Sequence, residues 1–339
     1  MDNKHVGPLF FSLTFPFLEE YLPIHIGRSP NTVESYRDTL TVFRRFVLEE
    51  KGISVGKFLF SDCTRGCIQD FLGHLKELGN TESTRNHRLE GLKAYLAYAA
   101  SVDVTLQSVW IGVSSIKPVR VATLEKKILS ESQMTLILKQ APNTFKGVRN
   151  RTMLLLLYET AERISELLAL KLDNLHLEGD RPYIKVEGKG RKERCIAITK
   201  ETAQHVMQYV GLCDKDSSDL LFPTKIHGVK GQMSARNVQD FLRTYANSAR
   251  VVDPSIPLGA HPHMLRRSKS TTLYQSGMPL ALVSSFLGHA QLETTRIYAK
   301  PSMEMLREAL KAATPEQDRD VKPLWEGKED LMARKCGLR

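Results

Sequence analysis

Six residues in the second half of the chain carry side chains that together could break a phosphodiester without a metal ion. In chain order they are Arg163, Lys189, His263, Arg266, His289 and Tyr298. When an alcohol attacks a phosphodiester, negative charge develops on the nonbridging oxygens, and guanidinium groups in bidentate reach can stabilise it. Arg163 and Arg266 suit that role, so the residue types predict phosphoryl transfer.

The reaction also needs a general base for the attacking group and a general acid for the departing sugar oxygen. We assign the base to His263 and the acid to Lys189, because a lysine beside two arginines can give up its proton. His263 precedes Arg266 by three residues and can share a helical face with it. His261 lacks that spacing and is interpreted as a loop residue or a supporting group.

The last two candidates lie close together in sequence. His289 follows Gly288, a pair typical of a tight turn that presents an imidazole, which could hydrogen-bond a nonbridging oxygen. Tyr298 is the predicted nucleophile and would form a covalent phosphotyrosine. Each candidate also has an ordinary interpretation: a surface arginine, a turn lysine, a structural histidine or a packed tyrosine. The ordered set, rather than any single member, carries the prediction.

Composition favours a polyanionic partner. The chain has 339 residues and a net charge of +10, which predicts two domains and nucleic acid binding. Five scattered cysteines argue against a disulfide framework, so a reducing cytoplasm is expected. No apolar stretch is long enough to span a bilayer. Cys63 and Cys67 are spaced for one helix face, but no further ligand completes a zinc site, so structural thiols are predicted.

The first hundred residues read as a helical bundle. Helical periodicity starts near Ser29, Thr64 and Glu82, and the predicted DNA-binding domain spans 9–113. Its exposed faces are expected to carry cations and amides for phosphate contacts. These residues are Arg28, Asn31, Thr32, Arg37, Arg85, Asn86, Arg88 and Lys93. For each of them a solvated charged face is the alternative.

An irregular basic stretch at 114–128 is interpreted as a linker, followed by a catalytic domain at 129–314 and a tail at 315–339. Two strand-like segments, 181–186 and 195–198, predict a hairpin with Lys189 near its tip. The expected fold is therefore mainly α with a small antiparallel sheet. Further DNA contacts are predicted at Arg191, Lys192, Arg194, Ser234, Arg236, Asn237, Arg267 and Lys269.

Together these residues resemble the tyrosine recombinase, or lambda-type integrase, family from about Thr14 to Ala312. His289 lies 23 residues after Arg266, and Tyr298 nine after His289, as in bacterial members. The resemblance implies a two-domain, C-shaped clamp on duplex DNA and a synaptic homotetramer assembled from monomers or dimers. It also implies a covalent 3′-phosphotyrosine, strand exchange through a Holliday junction, and no need for metal or ATP. The segment 306–339 would pack on a neighbouring protomer.

The sequence departs from the family pattern in places. Ala161-Glu162 stands where Gly-Leu is common and is expected to stiffen the turn. Arg267 replaces a frequent histidine, and Lys269 replaces an apolar residue, so it must snorkel, pair with an acid or contact DNA. The phrase His-Met-Leu-Arg-Arg-Ser-Lys and a tail with tryptophan resemble transposase-like recombinases of mobile elements. This resemblance implies an accessory directionality factor as a further partner.

Three other functions fit part of the pattern. A type IB topoisomerase would use the same chemistry but reseal the same strand. A DNA-binding regulator could keep the fold without catalysis. A metal-dependent nuclease fits poorly, because the sequence lacks clustered carboxylates suited to Mg²⁺.

Overall fold

The computed structural model describes residues 7–122, 127–188, 193–213, 220–226, 229–288, 292–298, 301–313 and 326–338. The chain divides into two compact units, Met1–Glu125 and Lys126–Arg339, and the division falls inside the stretch expected to be a linker. Most described residues are helical, with small antiparallel sheets in the second unit, which confirms the predicted fold class. Within the described ranges, no helix combines the length and apolarity needed to cross a bilayer.

The first unit is a helical bundle whose helices begin where the sequence predicted. Ser29, Thr64 and Thr81 each accept a backbone N–H three residues ahead, which caps the helix that follows. The elements are 3₁₀ helix Phe10–Leu13, π-helix Pro16–His25, α1 Pro30–Lys51, 3₁₀ helix Phe60–Asp62, α2 Arg65–Glu77, α3 Glu82–Val102, 3₁₀ helix Val104–Leu106 and α4 Gln107–Ser114. The prediction missed α4. Buried aromatic rings, including Phe10, Phe43 and Tyr95, fill the core between the helices.

The second unit alternates helices with short strands around its own core. Its elements up to the second sheet are α5 Glu131–Lys139, α6 Phe145–Thr160, α7 Ile164–Leu168, 3₁₀ helix Leu172–Asn174, β1 Leu175–His176, β2 Tyr183–Glu187, β3 Glu193–Ala197, α8 Lys200–Leu212, β4 Pro223–Ile226 and β5 Val229–Gln232. The remaining helices are α9 Ala235–Ala249, α10 Pro262–Gln275, α11 Leu280–Leu287, 3₁₀ helix Leu292–Tyr298, α12 Met303–Ala313 and α13 Glu329–Lys335. The apolar run from Met153 to Leu157 lies on α6 and forms the centre of this core.

The predicted hairpin forms β2 and β3 of a three-stranded antiparallel sheet in the order β1-β2-β3. Tyr183 pairs with Ala197 and Glu187 pairs with Glu193. Lys189, predicted near the hairpin tip, lies outside the described residues. The prediction missed β1 and the β4–β5 pair. These strands have two and four residues, too few for an alternating pattern to stand out.

We expect Gly147→Ala to destabilise the second unit by about 2 kcal/mol or more, as forced overpacking does. A Cβ at this position of α6 would lie 1.8 Å from the carbonyl oxygen of Pro142, and a backbone atom cannot rotate away. The matched control is Gly211→Ala in α8, where no atom lies within 4 Å of the added carbon. Thermal unfolding should show a lower midpoint for the first variant and an unchanged or higher one for the second. Equal midpoints would contradict the packing described at Gly147.

Candidate active site

Arg163 is held at a sharp turn between α6 and α7. Helix α6 ends at Ala161, which has a φ of 48° and is the sole non-glycine residue with positive φ in the described ranges. A Cβ in this left-handed conformation costs about 1 kcal/mol. The turn makes Arg163 the N-cap of α7, with its side chain 40% exposed.

Glu166 ties Arg163 to a second arginine, Arg194 on β3. Its Oε1 accepts a hydrogen bond from Arg163 Nη1 at 2.8 Å, and its Oε2 accepts one from Arg194 Nη2 at 2.7 Å. Burial alone would raise the pKa of Glu166, but the hydrogen bonds from Arg194 and Arg163 outweigh it and leave the pKa below its usual value. Glu166 is therefore a buried anion that fixes two guanidinium groups.

Arg266 joins this turn to the end of α11. It is 1% exposed; Nη1 donates to the carbonyl of Ala161, and Nη2 donates to the carbonyl of Leu287 at 2.7 Å. The next residue, Gly288, has a φ of 63°, and a Cβ there would lie 3.0 Å from Arg194 Nη1. Four chain segments distant in sequence thus meet around three arginines.

Two of the six predicted catalytic residues are not described by the structure, and a third is described only by its backbone. Lys189 and His289 lie outside the described residues, as do the predicted DNA contacts Arg191 and Lys192. The backbone of Tyr298 closes the 3₁₀ helix Leu292–Tyr298, which packs against α10 and α11. The segment that carries the predicted nucleophile therefore contacts α10, which carries Arg266, and α11, whose last residue accepts a hydrogen bond from Arg266.

The two histidines near the start of α10 have different positions. His263 lies in the first turn and is exposed. His261 is the N-cap, and its Nδ1 accepts the backbone N–H of Met264 at 3.2 Å. Burial, together with the positive charge of Arg267, lowers the pKa of His261. The cap role agrees with the interpretation of His261 as a supporting residue.

Several predicted DNA contacts in the first unit have protein partners, and the exposure expected for Arg85 was wrong. Arg85 is 8% exposed and pairs with Glu82, since its long side chain folds back along α3. Its neighbours on α1 and α3 are half-buried and also bonded: Arg37 to Glu19 and Glu34, Asn86 to the backbone of Val119, Arg88 to Thr39, and Lys93 to Glu90. Arg28 and Asn31 are exposed, and Thr32 is half-buried.

The predicted DNA contacts in the second unit also differ in their exposure and in their protein partners. Ser234, Arg236 and Asn237 are exposed at the start of α9, where Ser234 is the N-cap. Lys269 snorkels, with Nζ 5.5 Å from the ring centroid of Tyr158, a cation–π contact. Arg267 is half-buried and donates to the carbonyl of Lys127.

Arg163, Arg194 and Arg266, together with Glu166, form what we call the arginine cluster. The sequence analysis did not predict two of these residues as parts of the site. Arg194 was predicted only as a DNA contact, yet its side chain is 15% exposed and bonded to Glu166 inside the cluster. Glu166 was not predicted at all. Its position three residues after Arg163, within one turn of a helix, was the available signal. Nothing in the sequence joined Arg194 to either residue, because 28 positions separate it from Glu166.

Within the described ranges, no three His, Cys, Asp or Glu side chains come close enough to hold a metal ion. Cys63 and Cys67 are buried in the first unit, and burial raises the pKa of both thiols, that of Cys67 to about 11.

Two family models match the chain. One, described as "Phage integrase family", covers residues 127–305, and the other, "Phage integrase, N-terminal SAM-like domain", covers residues 17–102. Among curated proteins, the chain is 32% identical over 296 residues to a tyrosine recombinase XerA of Thermococcus kodakarensis, covering 87% of this chain and 93% of that relative.

Solved structures share the fold. A Tn1549 transposon integrase in complex with transposon right end DNA matches with a TM-score of 0.64 at 16% identity, covering 88% of this chain and 99% of that one. A lambda integrase in a tetramer bound to a Holliday junction matches with a TM-score of 0.60 at 16% identity, covering 84% and 76%. With both domains matched and a 32% identical relative spanning most of its length, the chain belongs to the phage integrase family of tyrosine recombinases.

Proposed function

We propose that this tyrosine recombinase cuts and rejoins duplex DNA through a covalent 3′-phosphotyrosine on Tyr298. The observation that carries the proposal is the convergence of Arg163, Arg194 and Arg266, with the segment of Tyr298 packed on the helix of Arg266. Such a group of fixed cations favours the dianionic transition state of phosphoryl transfer over the monoanionic ground state.

In the proposed cleavage step, the Tyr298 oxygen forms a bond to phosphorus while the bond from phosphorus to the 5′ oxygen breaks. His263 takes the phenolic proton, and Lys189 gives a proton to the departing 5′ oxygen. Exposure of His263 leaves it accessible to the DNA. His289, the residue after Gly288 in the sequence, would donate to a nonbridging oxygen.

The two clustered arginines from the predicted set contribute differently. Arg163, 40% exposed, can reach a nonbridging oxygen directly. Arg266 is buried, so its charge would act across a short distance through a medium that screens it weakly. Its hydrogen bonds to Ala161 and Leu287 also fix the turn of Arg163 relative to the residues before His289.

Rejoining would reverse the same step with a 5′ hydroxyl from a partner duplex, which passes the strands through a Holliday junction. The phosphotyrosine keeps the energy of the broken phosphodiester, so neither ATP nor a metal ion is needed. We place the reaction in the cytoplasm, on the DNA of a mobile element. An accessory directionality factor is a further proposed partner.

Assembly into a tetramer would use the end of the chain. Helix α12 exposes Met303, Leu306 and Leu310 at helical spacing, and these residues are 66%, 44% and 68% exposed. An apolar stripe of this kind is suited to burial against another surface. This supports packing of the segment 306–339 on a neighbouring protomer, although α12 itself begins three residues earlier.

The test uses the purified protein and a plasmid that carries the DNA flanking its gene. We expect a covalent protein–DNA adduct and recombinant products, both unchanged by excess EDTA. Relaxed plasmid without recombinants would indicate a type IB topoisomerase. The absence of an adduct with nicked suicide DNA would indicate a silent regulator, and loss of cleavage in EDTA would indicate a metal-dependent nuclease.

A further inference from the structure

A buried carboxyl group with no role in the proposed chemistry lies beside the arginine cluster. Glu162 follows Ala161 in the left-handed turn and is 1% exposed. Its Oε1 accepts a hydrogen bond from Thr160 Oγ1 at 3.2 Å. Its Oε2 has no hydrogen-bond partner among the described residues. A buried, half-satisfied carboxylate is costly, so this position favours the neutral acid.

Charged groups on three neighbouring elements act on Glu162. Glu166 of α7 opposes its ionisation, whereas Arg194 of β3 and Arg266 of α10 favour it. Burial is the largest influence, and the net effect raises the pKa of Glu162 to about 8. Arg163, the next residue along the chain, pairs with Glu166 instead. Glu162 is therefore mostly protonated at neutral pH, about half ionised near pH 8 and mostly ionised at pH 9.

The protonation state of Glu162 changes the charge offered to a phosphate. With Glu162 neutral, the three arginines are opposed by Glu166 alone, which leaves a net charge of +2 on these five residues. Ionisation of Glu162 lowers this net charge by half and adds a negative charge that attracts Arg194 and Arg266. A bound phosphate and an ionised Glu162 would compete for the same cations, so each weakens the other by the same factor.

We propose that Glu162 is a positioning residue which, while protonated, leaves the positive charge of Arg194 and Arg266 at the scissile phosphate undiminished, and whose ionisation slows DNA cleavage. The carboxyl group is too buried to touch DNA and acts through the arginines. This inference rests on the proposed function, because it concerns the rate of the same cleavage step.

The deciding experiment measures single-turnover adduct formation on suicide DNA between pH 6.5 and 9 for the wild type and Glu162→Gln. Glutamine keeps the size and neutrality of the protonated acid. The ratio of the variant rate to the wild-type rate cancels titrations that both proteins share. We expect a ratio near one at pH 6.5 that rises to about tenfold at pH 9, where about a tenth of Glu162 stays protonated.

Glu178→Gln is the matched control, since it removes the same charge from an exposed loop position outside the site. Its ratio should stay near one at every pH. A ratio for Glu162→Gln that does not change with pH, or a variant that cleaves more slowly than the wild type throughout, overturns the inference. No adduct from the wild type at any pH would sink the proposed function itself, and the Glu162 role with it.

Thermal unfolding gives a second readout that needs no DNA. The folded-state pKa of Glu162 lies above its usual 4.5, so its stabilising contribution is complete below pH 4.5 and is lost as the pH rises through about 8. The midpoint of the wild type should therefore fall relative to that of Glu162→Gln across this range. Parallel midpoints would show that Glu162 is already ionised, which contradicts the inference.

Discussion

Tyr298→Phe should abolish the covalent protein–DNA adduct and lower the cleavage rate by at least about a thousandfold, as loss of a nucleophile does. Only one hydroxyl is removed, and DNA affinity comes mainly from cationic contacts to phosphates. Binding measured by gel shift at fixed salt should therefore stay close to that of the wild type. Adduct formation is measured with nicked suicide DNA that traps the intermediate.

Tyr274→Phe is the matched control for this variant. Tyr274 lies in α10 and packs beside Ala161 and Leu287, so it is a tyrosine near the site with no assigned chemical role. It should form adduct at close to the wild-type level. An equal adduct yield from Tyr298→Phe and the wild type would exclude Tyr298 as the nucleophile, and peptide mapping of the adduct would then identify the true one.

Arg266→Ala should slow cleavage by about a hundredfold or more and also destabilise the protein. The guanidinium is 1% exposed and bonds two carbonyls, those of Ala161 and Leu287. Its removal leaves both carbonyl groups buried without a donor, at a cost of about 2 to 4 kcal/mol. Chemical denaturation measures the free energy of unfolding, and single-turnover cleavage measures the rate.

Arg163→Ala separates the two effects. Its side chain is 40% exposed, so the free energy of unfolding should change by about 1 kcal/mol or less, while cleavage should slow about as much as in Arg266→Ala. Arg266→Lys keeps the positive charge but has a single nitrogen in place of the two guanidinium nitrogens that bond the two carbonyls. This variant should therefore recover only part of the stability and cleavage rate lost in Arg266→Ala. Wild-type stability in Arg266→Ala would contradict the buried arrangement described here.

Local patterns in the sequence were sufficient for three helices of the first unit. Apolar residues at helical spacing after Ser29, Thr64 and Glu82 predicted the starts of α1, α2 and α3 to within a residue. The alternating pattern of a strand could not be recognised where the strand was short, as in β1 and the β4–β5 pair. The prediction also treated Arg85 as an exposed cation, because periodicity alone does not show that a charged side chain folds back onto its own helix.

The chemistry of the proposed site was predicted from residue types and chain order, because a nucleophile, proton donors and phosphate-binding cations are properties of individual side chains. The burial and the contacts of these side chains could not be predicted from the sequence. Burial of Arg266, the link from Arg194 to Glu166 and the position of Glu162 among these groups join residues up to 105 positions apart. Contacts of that range exist only after the chain has packed, and packing also sets the burial on which each charge depends.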